Sequence, residues 1–264
     1  MQQPAHYIPH GAGPCFFMDW TPKGQWDPLG AYLSTLLTSA AQQPRCIVIF
    51  SAHWQCESVS ISADTEHQLF YDYRGFPEHT YQFNWAPKGS VDVAQTIQGL
   101  LHAHAIPAQL TTERGLDHGV FIPLMLADPT AAIPVVQVSL HASLDPKMHL
   151  AMGRALAELR NQAILCIGSG LSFHNVNALR GRTPGGQAEQ FASELMAAIT
   201  QPSTIRDSAL CDILNHPELA LAHPTTEHLL PLHVIAGLSD HPGTISFIDQ
   251  IAGSTIFAAD FVTP

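Results

Sequence analysis

The sequence predicts an α/β fold: a central, mainly parallel or mixed β-sheet flanked by helices on both faces, a three-layer sandwich. Short apolar runs rich in Val and Ile, such as residues 46–51 and 164–168, alternate with segments whose apolar residues recur at helical spacing. The runs are continuous, as expected of strands covered on both faces. Hydrophobic residues make up 46% of the 264-residue chain and charged residues 12%, enough for a large core without staples. At this length one domain over residues 1–264 is expected.

Strands are expected at residues 6–9, 46–51, 59–62, 106–110, 134–139, 164–168, 244–248 and 255–261. Residues 27–42 carry Leu29, Leu33, Leu36 and Leu37 at helical spacing. Ser90 is placed to cap a helix whose inner face is Val93, Ile97 and Leu101, and Asp117 to cap the one that follows it. Asp145-Pro146 has the N-cap and N1 residues of a helix start, and the Met148, Met152, Ala155, Leu159 stripe reads as core packing. Further helices are expected over 187–199 and 204–214, and Thr225 as an N-cap would put His228 in a first helical turn.

The net charge of −11 argues against a nucleic-acid partner. No apolar run approaches a membrane span. The N-terminus lacks the basic and apolar regions of a secretory signal. Five cysteines without a C-x-x-C pair fit a reducing cytoplasm, the expected location. The oligomeric state stays open, a homo-oligomer included.

Histidine is the outlying count: 16, against 11 Lys and Arg together. In α/β folds ligands bind beyond the carboxyl ends of the strands. His10 follows the run at 6–9, His53 the run in IVIFSAHWQ, and His174 the run in ILCIGSGLSF. Strand ends that deliver several neutral imidazoles to one rim suit a divalent transition metal. His118, in RGLDHGVF, and His228, in PTTEHLLPL, open helices. His102, His104, His141, His149, His216, His223, His233 and His241 read as structural, on helix faces or in polar loops, and His6, His67 and His79 lean the same way.

The set IPHGAG, FSAHWQ, YRGFPEHTYQ, RGLDHGVFIPL, IGSGLSFHN and PTTEHLLPL, in this order over residues 8–238, closely resembles the class III extradiol ring-cleaving dioxygenases, in particular the DOPA-4,5-dioxygenase-like branch. The resemblance implies a metal held by His10, His53 and His228. It implies His174 as catalytic base, or as a fourth ligand when zinc fills the site, and His118 as a second acid/base or substrate-positioning group. Relatives that cleave protocatechuate use a glutamate as third ligand, so Glu227 beside His228 stays open as a contributor. Adjacent helical residues point about 100° apart, so only one of the two is expected to reach the metal. The chain departs from its relatives at Arg74, where a smaller or aromatic residue is usual, and in FNWAPKGS, both where a substrate side chain could be read.

The implied reaction is extradiol opening of a catechol-type ring, DOPA-like or related, with both atoms of O2 inserted. Fe2+ is the expected working metal, and Zn2+, higher in the affinity order, can replace it during purification. A zinc-dependent hydrolase on the same site, with Glu227 as base, and a non-catalytic metal-binding relative are the competing readings.

Overall fold

The computed structural model describes residues 2–180, 182 and 188–262. Eight strands form one mixed sheet: β1 (Ala5–Pro9), β2 (Cys46–Cys56), β3 (Val59–Ser62), β4 (Ala108–Thr111), β5 (Val135–His141), β6 (Ile164–Gly170), β7 (Thr244–Ile251) and β8 (Ser254–Phe261). Their order is β4-β3-β5-β2-β6-β1-β8-β7. The central strands β5, β2, β6 and β1 run parallel, and β3 and β8 flank them antiparallel. β1 and β6 are buried along their whole length, which is why they read as unbroken apolar runs, whereas edge strand β7 alternates between exposed and half-buried residues.

The helices are α1 (Asp27–Ser34), α2 (Val91–Ala103), α3 (His118–Ala127), α4 (Pro146–Leu156), α5 (Val176–Leu179), α6 (Glu189–Ile199), α7 (Ser203–Asp212), α8 (Leu219–Ala222) and α9 (Leu230–Gly237). α9 packs on β1, β2 and β6 and is joined by α4, while α3 lies on β2 and β6 beside α1. The result is the α/β sandwich expected from the sequence. Met152, Ala155 and Leu159 are buried and Met148 half-buried, so the stripe along α4 and the 3-10 segment after it is core.

Several local expectations are corrected. The helix expected over 27–42 ends at Ser34, and a 3-10 turn spans Leu36–Ser39. The Ser34, Thr35, Thr38 and Ser39 hydroxyls each donate to the carbonyl three residues back, which competes with helix propagation. Ser90 stands at the N-cap of α2, but its hydroxyl bonds the Asp92 carboxylate. Asp145 does cap α4, accepting from the Lys147 N–H at 3.0 Å. α6 starts at Glu189, and residue 187 of the helix expected there lies outside the described residues. His228 is not in a helical turn: α9 starts at Leu230, and residues 227–229 form the turn before it.

Candidate active site

Three sheet neighbours set the rim. In β6, Ser169 pairs with Ser51 of β2, and Gly170 with Pro9 of β1. His10 is one residue past the end of β1, its N–H bonded to Gly170 O at 3.1 Å. His53, expected after the strand, lies within it. β2 runs on to Cys56, and its register against β5 slips between Ser51 and Gln55. This bulge swings His53 out of the ladder, as bulges beside active sites commonly do. The Ser51 hydroxyl accepts from the His53 N–H at 3.2 Å and donates to the Asp117 carboxylate at 2.6 Å.

His228 comes from the turn before α9, and its carbonyl is fixed twice: Leu171 N–H donates to it at 3.0 Å and the Tyr7 hydroxyl at 3.2 Å. A Cβ on Gly170 would collide with that carbonyl, so glycine is needed where the turn crosses the strand end.

The rings of His10, His53 and His228 converge. The Nε2 atom of His53 lies 3.3 Å from Nε2 of His10 and 3.3 Å from Nε2 of His228. Burial, and then the neighbouring imidazoles, hold all three well below the ordinary histidine pKa, so they are neutral at pH 7. The His228 Nδ1–H donates to Glu227 Oε1 at 2.9 Å, which leaves its Nε2 as a lone pair. One proton on His53 Nε2 could satisfy one neighbour and not both. A buried set of facing lone pairs is the donor arrangement a transition-metal cation resolves, and the residues fit such an ion.

Two other groups have the spacing of metal ligands, His53 with Asp72 and His118, and His174 with Glu227 and His228. Both are already accounted for by hydrogen bonds to carboxylates. Asp72 Oδ1 accepts from the His118 Nδ1–H at 2.6 Å and from the His118 backbone N–H at 3.0 Å, and Asp72 Oδ2 is 3.6 Å from His53 Nδ1. Asp72 therefore caps α3 in place of Asp117. The Asp117 carboxylate turns inward, bonded by Ser51, Gln137 and Arg114. On the opposite side Glu227 Oε1, beside His228, is 3.7 Å from His174 Nδ1. The His174 ring stacks on His228 with centroids 3.3 Å apart. Burial pulls the His174 pKa down to about 4, against the pull of Glu227, so it too is neutral at pH 7.

The pattern is a pair of carboxylates, Asp72 and Glu227, each reaching one ring of the central trio and one outer histidine. The cavity over these groups measures about 220 Å³ and is lined by His10, His53, His118 and His174 together with Trp20 and Phe76. Arg74 also lines it, but none of residues 83–90 does, contrary to the expectation for FNWAPKGS. Trp85 of that segment is buried, its indole N–H donating to Asp128 O.

Several of the remaining histidines hold backbone. His102, His223 and His233 bond carbonyls of Ala108, Ser172 and Leu210, and His67 bonds that of Val135. His149 and His233 lie on helix faces, the buried ones of α4 and α9, and His223 is buried at the end of α8. Sequence reasoning missed Asp72, whose partner His118 lies 46 residues away, and the support under His53: Arg114 donates to His53 O at 3.2 Å and stacks over Trp54.

The chain matches the family described as the catalytic LigB subunit of aromatic ring-opening dioxygenase over residues 4–256. It is 38% identical over 200 residues to "4,5-DOPA dioxygenase extradiol" of Beta vulgaris, covering 75% of this chain and 74% of the relative. To the protein of the same description in Escherichia coli K12 it is 31% identical over 243 residues, covering 90% and 86%. The crystal structure of an uncharacterized protein from Escherichia coli K12 superposes with a TM-score of 0.80 at 27% identity, covering 99% of this chain and all of that one.

Proposed function

This chain belongs to the LigB family of aromatic ring-opening dioxygenases, and from that premise we propose that it opens a catechol-type ring by extradiol cleavage with O2 at the histidine cluster on the sheet rim. The observation that carries the reading is the convergence of three facing imidazole Nε2 atoms beside a cavity that two further histidines also line, each of these two beside a carboxylate. His10, His53 and His228 would hold the metal, Fe2+ in the working enzyme. The bound ion would supply Lewis acidity toward a catechol hydroxyl and the redox link between ring and O2, which zinc in the same place cannot.

The chain's own residues divide the remaining work. His174 is the base: neutral at pH 7, it takes a hydroxyl proton, and the resulting imidazolium faces Glu227. His118 is held by its Nδ1–H on Asp72, so its Nε2 is the nitrogen left to exchange a proton with substrate or oxygen, and an imidazolium there is likewise offset by a carboxylate. Trp20, Phe76 and Leu171 supply apolar wall for the ring and keep bulk water from the reacting atoms. A hydrolase would need a free carboxylate base beside the metal, and Glu227 instead bonds the back of the His228 ring.

The test is anaerobic loading with ferrous iron, addition of a catechol panel, and admission of O2. Oxygen uptake matched by a yellow ring-opened product is expected. A folded, iron-loaded protein that consumes no O2 with any catechol refutes the proposal.

A further inference from the structure

The cavity above the histidines has a charge pattern that bears on which catechol enters. Among its described lining residues are two guanidinium groups and no carboxylate. Arg74 sits in the loop between β3 and α2, and Arg180 directly follows α5. Both are exposed, and neither side chain has a hydrogen-bond or ion-pair partner among the described residues. In a chain carrying −11 and only 11 Lys and Arg, one small cavity thus gathers two of the cations.

Five of the other arginines illustrate the contrast. Arg45, Arg114, Arg154 and Arg206 each pair with an aspartate, and Arg160 is buried on three carbonyls. Asp72 and Glu227, the carboxylates beside the site histidines, are committed to His118 and His228. A substrate ammonium would therefore meet two positive charges and no free acid in the cavity. Asp249 lines the adjoining cleft, with Trp20 and Arg180, and not this one. A substrate carboxylate would meet guanidinium groups, whose planar donor fork matches it.

We infer that the preferred substrate is a catechol bearing an acidic side chain without an amine, its carboxylate held by Arg74 and Arg180 while the ring lies between Trp20, Phe76 and Leu171. This rests on the ring-opening reading for the chemistry, but the charge preference is a property of binding and is measurable apart from turnover. The two arginines are specificity-determining residues. They do not touch the reacting atoms.

Four catechols that share one ring position separate the possibilities: 3-(3,4-dihydroxyphenyl)propionate as anion, 4-methylcatechol as neutral, L-DOPA as zwitterion and dopamine as cation. Equilibrium binding is measured anaerobically on zinc-loaded protein, and oxygen uptake on the ferrous form. The propionate is expected to bind about tenfold or more tighter than 4-methylcatechol, with dopamine weakest. In Arg74→Gln, Arg180→Gln and the double variant, the ratio of propionate to methylcatechol affinity should fall, by about tenfold in the double. Equal affinities across the panel, or an unchanged ratio in the double variant, overturn the inference; the affinity for 4-methylcatechol, which the arginines do not set, should stay near wild type in all three variants. Binding ranked by charge with no oxygen uptake would sink the ring-opening reading and keep the selectivity. Oxygen uptake indifferent to side-chain charge would do the reverse. Failure of all four to bind would overturn both.

Discussion

Replacing Glu227 distinguishes a carboxylate that orients a metal ligand from one that is itself a ligand. Its Oε1 accepts from the His228 Nδ1–H at 2.9 Å, and its side chain is 14% exposed. Glu227→Gln can keep the acceptor in place and remove only the charge. A hydrogen bond to a charged group is worth about 1.5–3 kcal/mol and a neutral one about 0.5–1.5, so the loss is about 1–1.5 kcal/mol, or roughly tenfold in metal affinity. Glu227→Ala also strands a buried donor and frees the ring to rotate. That adds about 1–3 kcal/mol, for a total of roughly 100-fold or more. The assay is competitive zinc titration of metal-free protein against a chromophoric chelator, with circular dichroism to confirm the fold. Wild-type affinity in both variants would show that Glu227 does not hold His228. Loss of all stoichiometric binding in the folded Gln variant would make Glu227 a ligand and refute the three-histidine set.

Other perturbations test neighbouring parts of the site. His53→Ala should lose metal and activity with the fold largely kept, and stoichiometric metal retained on atomic absorption would remove it from the ligand set. His174→Ala should keep metal and catechol binding while turnover falls by about 10²–10⁴; a near wild-type rate would refute its role as base. Gly119→Ala would place a Cβ 2.8 Å from Ser51 Oγ and 2.9 Å from His53 Cδ2. It should cost about 1–3 kcal/mol in thermal or urea unfolding and weaken zinc binding, and unchanged values for both would show that the bulge yields freely. Stability should also fall in acid. Burial holds His149 down to about 4 and His223 to about 3 from an ordinary 6.5, so the unfolded chain takes up protons that the folded one refuses. Their contribution is complete above pH 6.5 and lost as pH falls below it. At about pH 5 the loss is about 2 kcal/mol for each, and a urea midpoint unchanged between about pH 7.5 and 5 would contradict the assignment.

The sheet was legible because its central strands are buried on both faces and appear as uninterrupted Val and Ile runs. Residues 59–62 were placed without error, and β6 ran only two residues past its expected end. What failed was local and had local causes. The bulge after Ser51 has no signature in hydrophobic order, because burial continues through Ala52 and Trp54 on either side of His53. Hydroxyls bonding back to their own carbonyls cut short the helix after Asp27, where leucine spacing alone suggested continuation. In the site, His10, His53 and His174 were visible because strands deliver them. Asp72 lies in an irregular loop and acquires its role only through contact with His118.

His228 shows why position along the chain and position in the site separate. β1, β2 and β6 lie side by side and parallel, and neighbouring strands lie about 4.8 Å apart, so side chains at or just past their carboxyl ends are bound to meet whatever the sequence between them. His228 has no strand to carry it. It arrives because its carbonyl is bonded by Leu171, just past β6, and by Tyr7 within β1, the same two strands whose extensions carry His174 and His10. The glycine at position 170 removes the side chain that would block this approach. The fourth segment is thus registered on the same rigid frame as the other three, tied to both β6 and β1 rather than to a loop of its own. A site assembled this way keeps its ligand geometry under sheet fluctuations that would scatter histidines held on independent loops.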